Sequence, residues 1–380
     1  IARQIGYPVL VRPSFVLGGR DMKIVYDEAA LTEYMTRIAP ELSKSKPILI
    51  DKFLENAVEV DVDCLSDGTR TVIGGVMQHI EEAGIHSGDS ACVIPPHSLP
   101  AVVVEEIKRQ AKLLAEALKV KGLMNLQFAL RPDAASPGGY EVYILEANPR
   151  ASRTVPFVSK ATGVPLARLA SLVMVGKTLD ELGVKGETVP THFSVKESVF
   201  PFNKFPGTDI ILGPEMKSTG EVMGSDRTVG MAFAKAQMAA NAPLPTTGTV
   251  FVSIAGEEPK RTVAPLAARL VKLGFKLIAT PGTATVLRAA GVPVEVIAKI
   301  QEGARPNILD KMKNGEIAMV INTPSGKGGK TDEVKIRAAA VSHRITCITT
   351  LSAAEAATDA IQALVTEELT VTALQEWFPS

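Results

Sequence analysis

The chain has 380 residues, 46% of them hydrophobic, and its 41 Lys and Arg residues balance its 41 Asp and Glu residues. This length predicts two or three domains with a sizeable core, and the zero net charge argues against nucleic acid or an anionic membrane as a partner. Cys64, Cys92 and Cys347 are far apart in sequence, which favours a reducing, cytoplasmic compartment over a disulfide framework or a zinc site. No apolar run is long enough to predict a transmembrane helix.

The first segment, to about residue 175, mixes strand and helix patterns. The opening "IARQIG" has the pattern of a last helical turn before the strand "PVLVR", so we expect the chain to begin inside a fold. Residues 47–54 and 58–65 are rich in strand-forming residues. The acids of the second strand, Glu59, Asp61 and Asp63, alternate with valines, and this alternation predicts a solvated strand face.

Two loops of this segment are rich in glycine. "RPSFVLGGRDM" (12–22) contains Gly18 and Gly19, which would let backbone amides approach an anion, although a hairpin turn would have the same pattern. "IEEAGIHSGDS" (80–90) places acids around His86, and it is equally consistent with a binding role and with none. Neither loop identifies a ligand by itself.

An amphipathic helix is predicted over residues 103–119, where Ile107 and Leu118 share one face. Two strand patterns follow at 123–131 and 140–145, and they flank a turn rich in Pro, Asp and Gly. We therefore predict an antiparallel hairpin after the helix.

The register of this hairpin decides which polar side chains meet. Pairing of about Leu130 with Glu141 would bring Gln127 roughly opposite Glu146, with Asn148 two residues further on. A slip by one residue would put them on opposite faces. Oxygen ligands of these types suit Mg²⁺ or Mn²⁺ shared with substrate phosphates.

Two arginines, Arg150 and Arg153, follow directly. They would offset the charge on a transferring phosphoryl group. The alternative is an Asx-Pro turn with surface ion pairs, and the spacing alone leaves both interpretations open.

Residues 176–247 are rich in Gly and Pro and end in the linker candidate "NAPLPTTG" (241–248). From residue 249, strand patterns alternate regularly with helical ones. This rhythm predicts βαβ units and a parallel sheet covered by helices.

Polar side chains follow several of these later strands. Thr280, Thr283, Lys299 and Asn322 stand at strand ends, where α/β sheets bind anions, although plain turns would have the same pattern. "INTPSGKGGKT" is not a P-loop, because G-x-x-x-x-G-K-[ST] requires a glycine where the chain has Pro324.

Five sequence blocks together resemble one enzyme family. They are "VRPSFVLGGR", "FLENAVEVDVD", "HIEEAGIHSGDSACVIPP", "NLQFAL…YILEANPRASRTVPFVSKATG" and "FPFNKFPGTDIILGPEMKSTGEVMG". They are similar to the large subunit of carbamoyl-phosphate synthase, in its second, carbamoyl-phosphate-forming half, over nearly the whole chain. The resemblance implies an α/β and α+β fold: an N-terminally truncated ATP-grasp domain (1–175), a connecting segment (176–240) and a doubly wound, parallel-sheet, methylglyoxal-synthase-like allosteric domain (241–380).

The resemblance also implies a reaction, in which ATP phosphorylates carbamate to carbamoyl phosphate with Mg²⁺ or Mn²⁺, and K⁺ as a further candidate cation. By match to the family motifs, the metal ligands would be Gln127, Glu146 and Asn148. Arg150 and Arg153 would act on the phosphoryl group with Glu146 and Asn148. The nucleotide site would comprise Gln127, Glu146 and eight further residues: Arg12, Lys52, Leu54, Glu59, Gly84, Ile85, His86 and Ser87.

Two effector sites are implied by the same resemblance. A nucleotide monophosphate site would comprise Lys260, Thr280, Thr283, Lys299 and Asn322, but Pro324 replaces a threonine of the family pattern and puts the identity of that effector in doubt. An ornithine site would comprise Glu81, Asp89 and Glu197. Methylglyoxal synthase activity is disfavoured, because no convincing catalytic aspartate accompanies the strand-end residues.

The implied partners are a glutaminase small subunit and the N-terminal half of the large subunit, in arginine and pyrimidine biosynthesis. Neither that half nor the start of the ATP-grasp unit is present in this sequence, so we expect no glutamine- or bicarbonate-dependent synthesis by this chain. Two alternatives stay open. One is a module that binds nucleotide and effector without turnover, and the other is a different ATP-grasp ligase such as a biotin carboxylase.

Overall fold

A computed structural model describes residues 1–14, 18–41, 47–205, 207–323 and 331–378, so Pro324 lies outside the described residues. The chain forms two compact units. The first comprises Ile1–Lys196, Leu212–Met216 and Val371–Ser380, and the second comprises Glu197–Ile211 and Lys217–Thr370. The three domain boundaries drawn from the sequence stay a prediction.

The first unit begins with a small three-stranded sheet. Its elements are α1 (Ala2–Ile5), β1 (Val9–Pro13), β2 (Lys23–Val25), α2 (Glu28–Ile38) and β3 (Ile48–Lys52). Strand β1 is central and antiparallel to both neighbours. Buried Val9, Val11 and Val25 pack with Tyr34 and Ile38 of α2, which closes one face of this sheet.

A larger antiparallel sheet forms the rest of the first unit. Its elements are β4 (Val58–Asp67), β5 (Thr71–Glu82), β6 (Cys92–Ile94), α3 (Ala101–Ala117), β7 (Lys121–Pro132), β8 (Tyr140–Asn148), α4 (Val155–Thr162), α5 (Leu166–Met174) and β9 (Phe193–Val199). Within the first unit the strand order is β9–β6–β5–β4–β7–β8, and each of these five pairings is antiparallel. The predicted hairpin of β7 and β8 is confirmed.

Helix α3 covers one face of this sheet. Val103, Ile107, Ala111 and Ala115 recur every four residues and pack in one core with alternate residues of β4 and β7. Leu118, which the pattern placed on this face, is 51% exposed, because the helix ends at Ala117 and the chain turns away there.

The other face of the sheet carries the polar residues of the same strands. Val60 and Val62 belong to the core beside α3, so the two-residue period turns Asp61 and Asp63 to the opposite face. Those two acids are only 2% and 1% exposed. The predicted solvated face is therefore wrong, because β4 is a central strand and protein groups cover this side as well.

The second unit contains the end of β9 and a parallel sheet. Its elements are β10 (Gly220–Asp226), α6 (Val229–Ala239), β11 (Thr249–Ile254), α7 (Glu257–Lys272), β12 (Lys276–Ala279), α8 (Pro281–Ala289), β13 (Glu295–Val296), α9 (Ile308–Lys313), β14 (Met319–Thr323), α10 (Thr331–Ser342), β15 (Thr346–Ile348) and α11 (Leu351–Thr366). The strand order β13–β12–β11–β14–β15 is parallel throughout and confirms the doubly wound arrangement. Within the described residues, no helix has the length and apolar character needed to cross a bilayer.

Candidate functional site

The end of the β7–β8 hairpin brings the three predicted metal ligands together. Gln127 pairs with Glu146, and Asn125 pairs with Asn148 across the strands. The Asn148 side-chain amide donates a hydrogen bond to Glu146 Oε1 at 2.8 Å. One exposed carboxylate and two amide side chains therefore lie at the same edge of the sheet.

An irregularity in the strands produces this register. Near the turn the pairing differs by one residue from the predicted one, since Leu130 lies opposite Val142. Between Gln127 and Phe128 the register shifts again, because β8 contains one extra residue there. The predicted meeting of Gln127 with Glu146 is confirmed through this bulge.

The donor set fits a hard divalent cation that keeps other ligands. A carboxylate and side-chain amides offer oxygen atoms, which Mg²⁺ prefers. Among the described residues, no group of three or more His, Cys, Asp and Glu side chains is placed to hold a metal ion. With one carboxylate and two side-chain amides, the cluster offers few oxygen ligands of its own, as in sites where Mg²⁺ is shared with phosphate oxygens.

The loop between β5 and β6 lies against this cluster. Ser87 Oγ accepts a hydrogen bond from Gln127 Nε2 at 2.5 Å. His86 Nδ1 accepts one from the amide of Gly88 at 3.0 Å, and burial lowers the pKa of His86. A lowered pKa and an accepting Nδ1 both describe a neutral imidazole.

The start of β4 contributes a buried carboxyl group. Glu59 Oε1 accepts from the amide of Gly84 at 3.1 Å, and its Oε2 lies 3.5 Å from Nδ1 of His79. Burial raises the pKa of Glu59 to about 7. Nε2 of His79 lies 3.5 Å from Oδ1 of Asp61. Burial lowers the pKa of His79, but Cys92 and Asp61 outweigh burial and raise the pKa. The sequence patterns gave no role to His79, although it is the first residue of the block "HIEEAGIHSGDSACVIPP".

Other predicted nucleotide residues lie on the small sheet and the loop beside it. Arg12 donates to Asp51 at 2.8 Å, and Lys52 donates to the carbonyl of Gly6 at 2.9 Å. A Cβ atom on Gly84 would lie 2.9 Å from a ring atom of Phe53, so the loop approaches β3 closely. Leu54 and Ile85 are half-buried.

Gly18 and Gly19 have φ values of 62° and 67°, in the left-handed region that favours glycine. A Cβ atom on Gly19 would lie 1.9 Å from the carbonyl oxygen of Pro214. This close backbone approach accounts for the glycine at residue 19, and binding of an anion there stays a prediction.

The predicted arginines follow β8. Arg150 and Arg153 are both exposed, and the guanidinium of Arg153 contacts the sulfur of Met216. A Cβ atom on Gly88 would lie 3.1 Å from Nη1 of Arg153. Arg153 therefore lies beside the loop that carries His86.

The second unit gathers polar residues where its strand order reverses. Strands β11 and β14 are neighbours there, and Ser253 pairs with Asn322. Asn322 is fully buried, and its amide donates to the carbonyl of Ser253 at 3.2 Å. Thr283 accepts from the amide of Ile254 at 3.1 Å. Such a reversal is where open α/β sheets bind ligands.

The remaining residues of this predicted effector site differ in exposure and in their partners. Thr280 is the N-cap of α8, and its hydroxyl lies 3.4 Å from that of Ser253. Lys260 pairs with Glu257 at 2.7 Å, and its Nζ would lie 3.4 Å from a Cβ on Gly282. Lys299 is exposed after β13.

The three acids predicted for an ornithine site fall in different units. Glu81 and Asp89 belong to the first, where Glu81 accepts from the amide of Ala91 at 2.7 Å and burial raises its pKa. Glu197 belongs to the second, where it accepts from Gln237 at 2.7 Å. The ornithine site stays a prediction.

Comparison with known proteins assigns the family. Residues 1–182 match the model described as carbamoyl-phosphate synthase L chain, ATP binding domain, and residues 262–349 match the MGS-like domain. A biotin carboxylase structure from Campylobacter jejuni is similar with a TM-score of 0.48 and 15% identity, covering 63% of this chain and 58% of that one.

The curated relatives are much closer in sequence. The carbamoyl phosphate synthase large chain of Nostoc sp. is 55% identical over 100% of this chain and 34% of its own length. That of Archaeoglobus fulgidus is 55% identical over 99% of this chain and 34% of its own length. The chain thus spans 34% of the length of these relatives. It belongs to the carbamoyl-phosphate synthase large-chain family and matches the C-terminal part of those chains.

Proposed function

We propose that the first unit binds ATP with Mg²⁺ and transfers a phosphoryl group between ATP and carbamate. The observation that carries this proposal is the bulged register of β7 and β8, which puts Gln127, Glu146 and Asn148 at one edge of the sheet. Arg150 and Arg153 follow within five residues of Asn148. The identity of 55% to carbamoyl phosphate synthase large chains supports the same reaction.

Phosphoryl transfer needs positioning and charge neutralisation more than covalent help from protein. A divalent cation held by Gln127, Glu146 and Asn148 would neutralise charge between the phosphates. Arg150 and Arg153 would bind the equatorial oxygens of the transferred group. In the direction towards ATP, a β-phosphate oxygen of ADP attacks phosphorus, the bond from phosphorus to the carbamate oxygen breaks, and carbamate leaves.

The remaining residues suit recognition of the nucleoside. Glu59 has a pKa of about 7, so its carboxyl group can accept or donate a hydrogen bond to a ribose hydroxyl near neutral pH. Arg12, Lys52, Leu54, Gly84, Ile85, His86 and Ser87 would complete the nucleotide site. The neutral imidazole of His86 avoids placing a further charge beside the phosphates.

In the intact large chain, the second unit would regulate this reaction. A nucleotide monophosphate would bind at Lys260, Thr280, Thr283, Lys299 and Asn322, where the strand order reverses. Ornithine would be a second effector. The glutaminase subunit and the N-terminal half would supply ammonia and carbamate, and Mn²⁺ and K⁺ are further candidate cations.

The reverse partial reaction tests the catalytic proposal. The chain is incubated with carbamoyl phosphate, ADP and Mg²⁺, and ATP formation is measured for the wild type and for Glu146→Ala. Glu141→Ala is the matched control, because Glu141 is an exposed acid of the same strand that pairs with Arg131. We expect ATP from the wild type and the control, and a loss of about 100-fold or more in Glu146→Ala.

Two other outcomes would change the conclusion. Equal rates for Glu146→Ala and Glu141→Ala would contradict the role of Glu146. A folded wild type that binds Mg-ADP but forms no ATP would favour a binding module without turnover.

A further inference from the structure

Asp63 is a buried carboxylate that the proposed reaction does not use. It lies on the central strand β4 and is only 1% exposed. Its oxygens accept hydrogen bonds from Asn125 at 3.0 Å, Ser152 at 2.8 Å and Thr154 at 2.6 Å. Within the described residues every one of these donors is neutral, so no ion pair offsets the burial of this acid.

Two of the three donors come from the loop between β8 and α4. Ser152 and Thr154 directly flank Arg153, so the backbone on each side of that arginine is tied to the same carboxylate. The Arg153 side chain itself is exposed and lies beside Gly88. Asp63 thus restrains the segment from which Arg153 extends without touching its guanidinium.

The Thr154 side chain bonds to Asp63 and makes no hydrogen bond to the first turn of α4. It is the N-cap residue of α4, and threonine hydroxyls at that position commonly accept from the first turn of the helix. Here the N-cap side chain makes no capping hydrogen bond, and the hydroxyl donates to Asp63 at 2.6 Å. Thr154 therefore ties the start of α4 to Asp63 and does not cap the helix with its side chain.

We propose that Asp63 is a positioning residue for Arg153, holding the arginine where it meets the transferred phosphoryl group. This inference rests on the proposed function and adds a residue that does not contact substrate. A displacement of about 1 Å in a catalytic group can reduce a rate by about 100-fold, so a buried tie on both sides of Arg153 has a kinetic consequence.

A double-mutant cycle tests the proposal in the reverse partial reaction. The variants are Asp63→Asn, Arg153→Ala and the double mutant. We expect Asp63→Asn to lower the rate at saturating substrates by about 30–100-fold, with the KM for ADP changed by less than about threefold. In the Arg153→Ala background, Asp63→Asn should have no further effect, because the group it positions is gone.

Asp67→Asn is the matched control. Asp67 lies on the same strand and also ties down neighbouring chain, since it accepts from the amides of Leu179 and Arg70 at 2.8 Å each. None of the predicted site residues belongs to those segments. We expect its rate to stay within about threefold of the wild type. A similar loss in Asp67→Asn would mean that Asp63 only stabilises the fold.

Amide hydrogen exchange provides a readout independent of activity. In Asp63→Asn we expect faster exchange over residues 150–155 and unchanged exchange over 58–62 in β4. Multiplicative rate losses in the double mutant, or unchanged exchange over 150–155, would overturn the proposal. If the wild type forms no ATP, the reaction proposal fails, and the exchange pattern alone decides whether Asp63 restrains the Arg153 loop.

Discussion

A buried acid of the first unit and a buried arginine of the second have different partners. In the first, Asp63 is an acid held by neutral donors, and burial raises its pKa to about 6. In the second, Arg337 of α10 is fully buried and donates to both oxygens of Asp209 at 2.6 Å, and to Asn322 at 2.8 Å. Burial opposes ionisation of Asp209, but Arg337 lowers its pKa.

This difference separates two uses of a buried charge. The negative charge of an acid whose hydrogen-bond donors are all neutral is not cancelled by a neighbouring cation. Such a charge suits the region that we propose binds a metal ion and orients arginines. An arginine already paired with a carboxylate has no such surplus, and its rigid fork is suited to fixing geometry. Arg337 fixes the side-chain amide of Asn322, a residue of the predicted effector site.

Breaking the Arg337–Asp209 ion pair should produce the largest change in stability. We expect Arg337→Met to lower the free energy of unfolding by about 3–5 kcal/mol, because it removes the guanidinium that donates to both oxygens of Asp209 and to Asn322. Urea unfolding followed by far-ultraviolet circular dichroism measures this loss. Arg3→Met is the control: Arg3 pairs with Glu28 on the surface, where solvent screens the pair, so this variant should lose far less stability than Arg337→Met. Equal losses of stability in the two variants would mean that the buried Arg337–Asp209 pair stabilises the fold no more than a surface ion pair does.

The sequence carried enough information to predict β3, β4, β7 and β8 and the hairpin that β7 and β8 form, but not β5 or its pairing with β4. Strands β4, β7 and β8 are long and rich in strand-forming residues, and the turn between β7 and β8 is marked by Pro137, Gly138 and Gly139. The alternation after residue 249 predicted the parallel sheet for the same reason. Patterns of this kind are local, so a single sequence can specify them.

The burial of the polar side chains could not be predicted in the same way. Asp61 and Asp63 have the spacing of a solvated face, and only the position of β4 in the middle of the sheet puts protein over them. Arg337 lies in a helix pattern like any surface arginine, while its partner Asp209 is 128 residues away. Such pairings depend on contacts between distant segments, which no periodicity reports.

The acid of the first unit should make stability depend on pH. The pKa of Asp63 is raised from 3.8 to about 6, so the folded chain binds its proton more tightly than the unfolded chain does. Stability is then lost as pH rises from about 4 to about 6, by about 2–3 kcal/mol for this group. Asp61 is the charged neighbour that adds to the shift.

Urea unfolding followed by the fluorescence of Trp377, the single tryptophan and part of the first unit, measures this dependence. The comparison is between the wild type and Asp63→Asn at pH values from about 4 to about 7.5. We expect the variant to lose the part of the decline that belongs to Asp63. If the free energy of unfolding of the two proteins changes with pH in the same way, Asp63 has the same pKa in the folded and unfolded chains. Burial of Asp63 would then have no effect on its ionisation.

The smallest expected effect concerns the predicted anion site of the second unit. Lys260 already pairs with the exposed carboxylate of Glu257, so its free charge is partly offset. We expect Lys260→Gln to weaken binding of a nucleoside monophosphate by about fivefold, or about 1 kcal/mol. Isothermal titration calorimetry measures this change, with Lys272→Gln as the control because Lys272 is exposed at the other end of α7. Equal affinities for the two variants would mean that Lys260 does not bind the anion. The Arg337–Asp209 pair would then stabilise the fold of the second unit without supporting an anion site beside it.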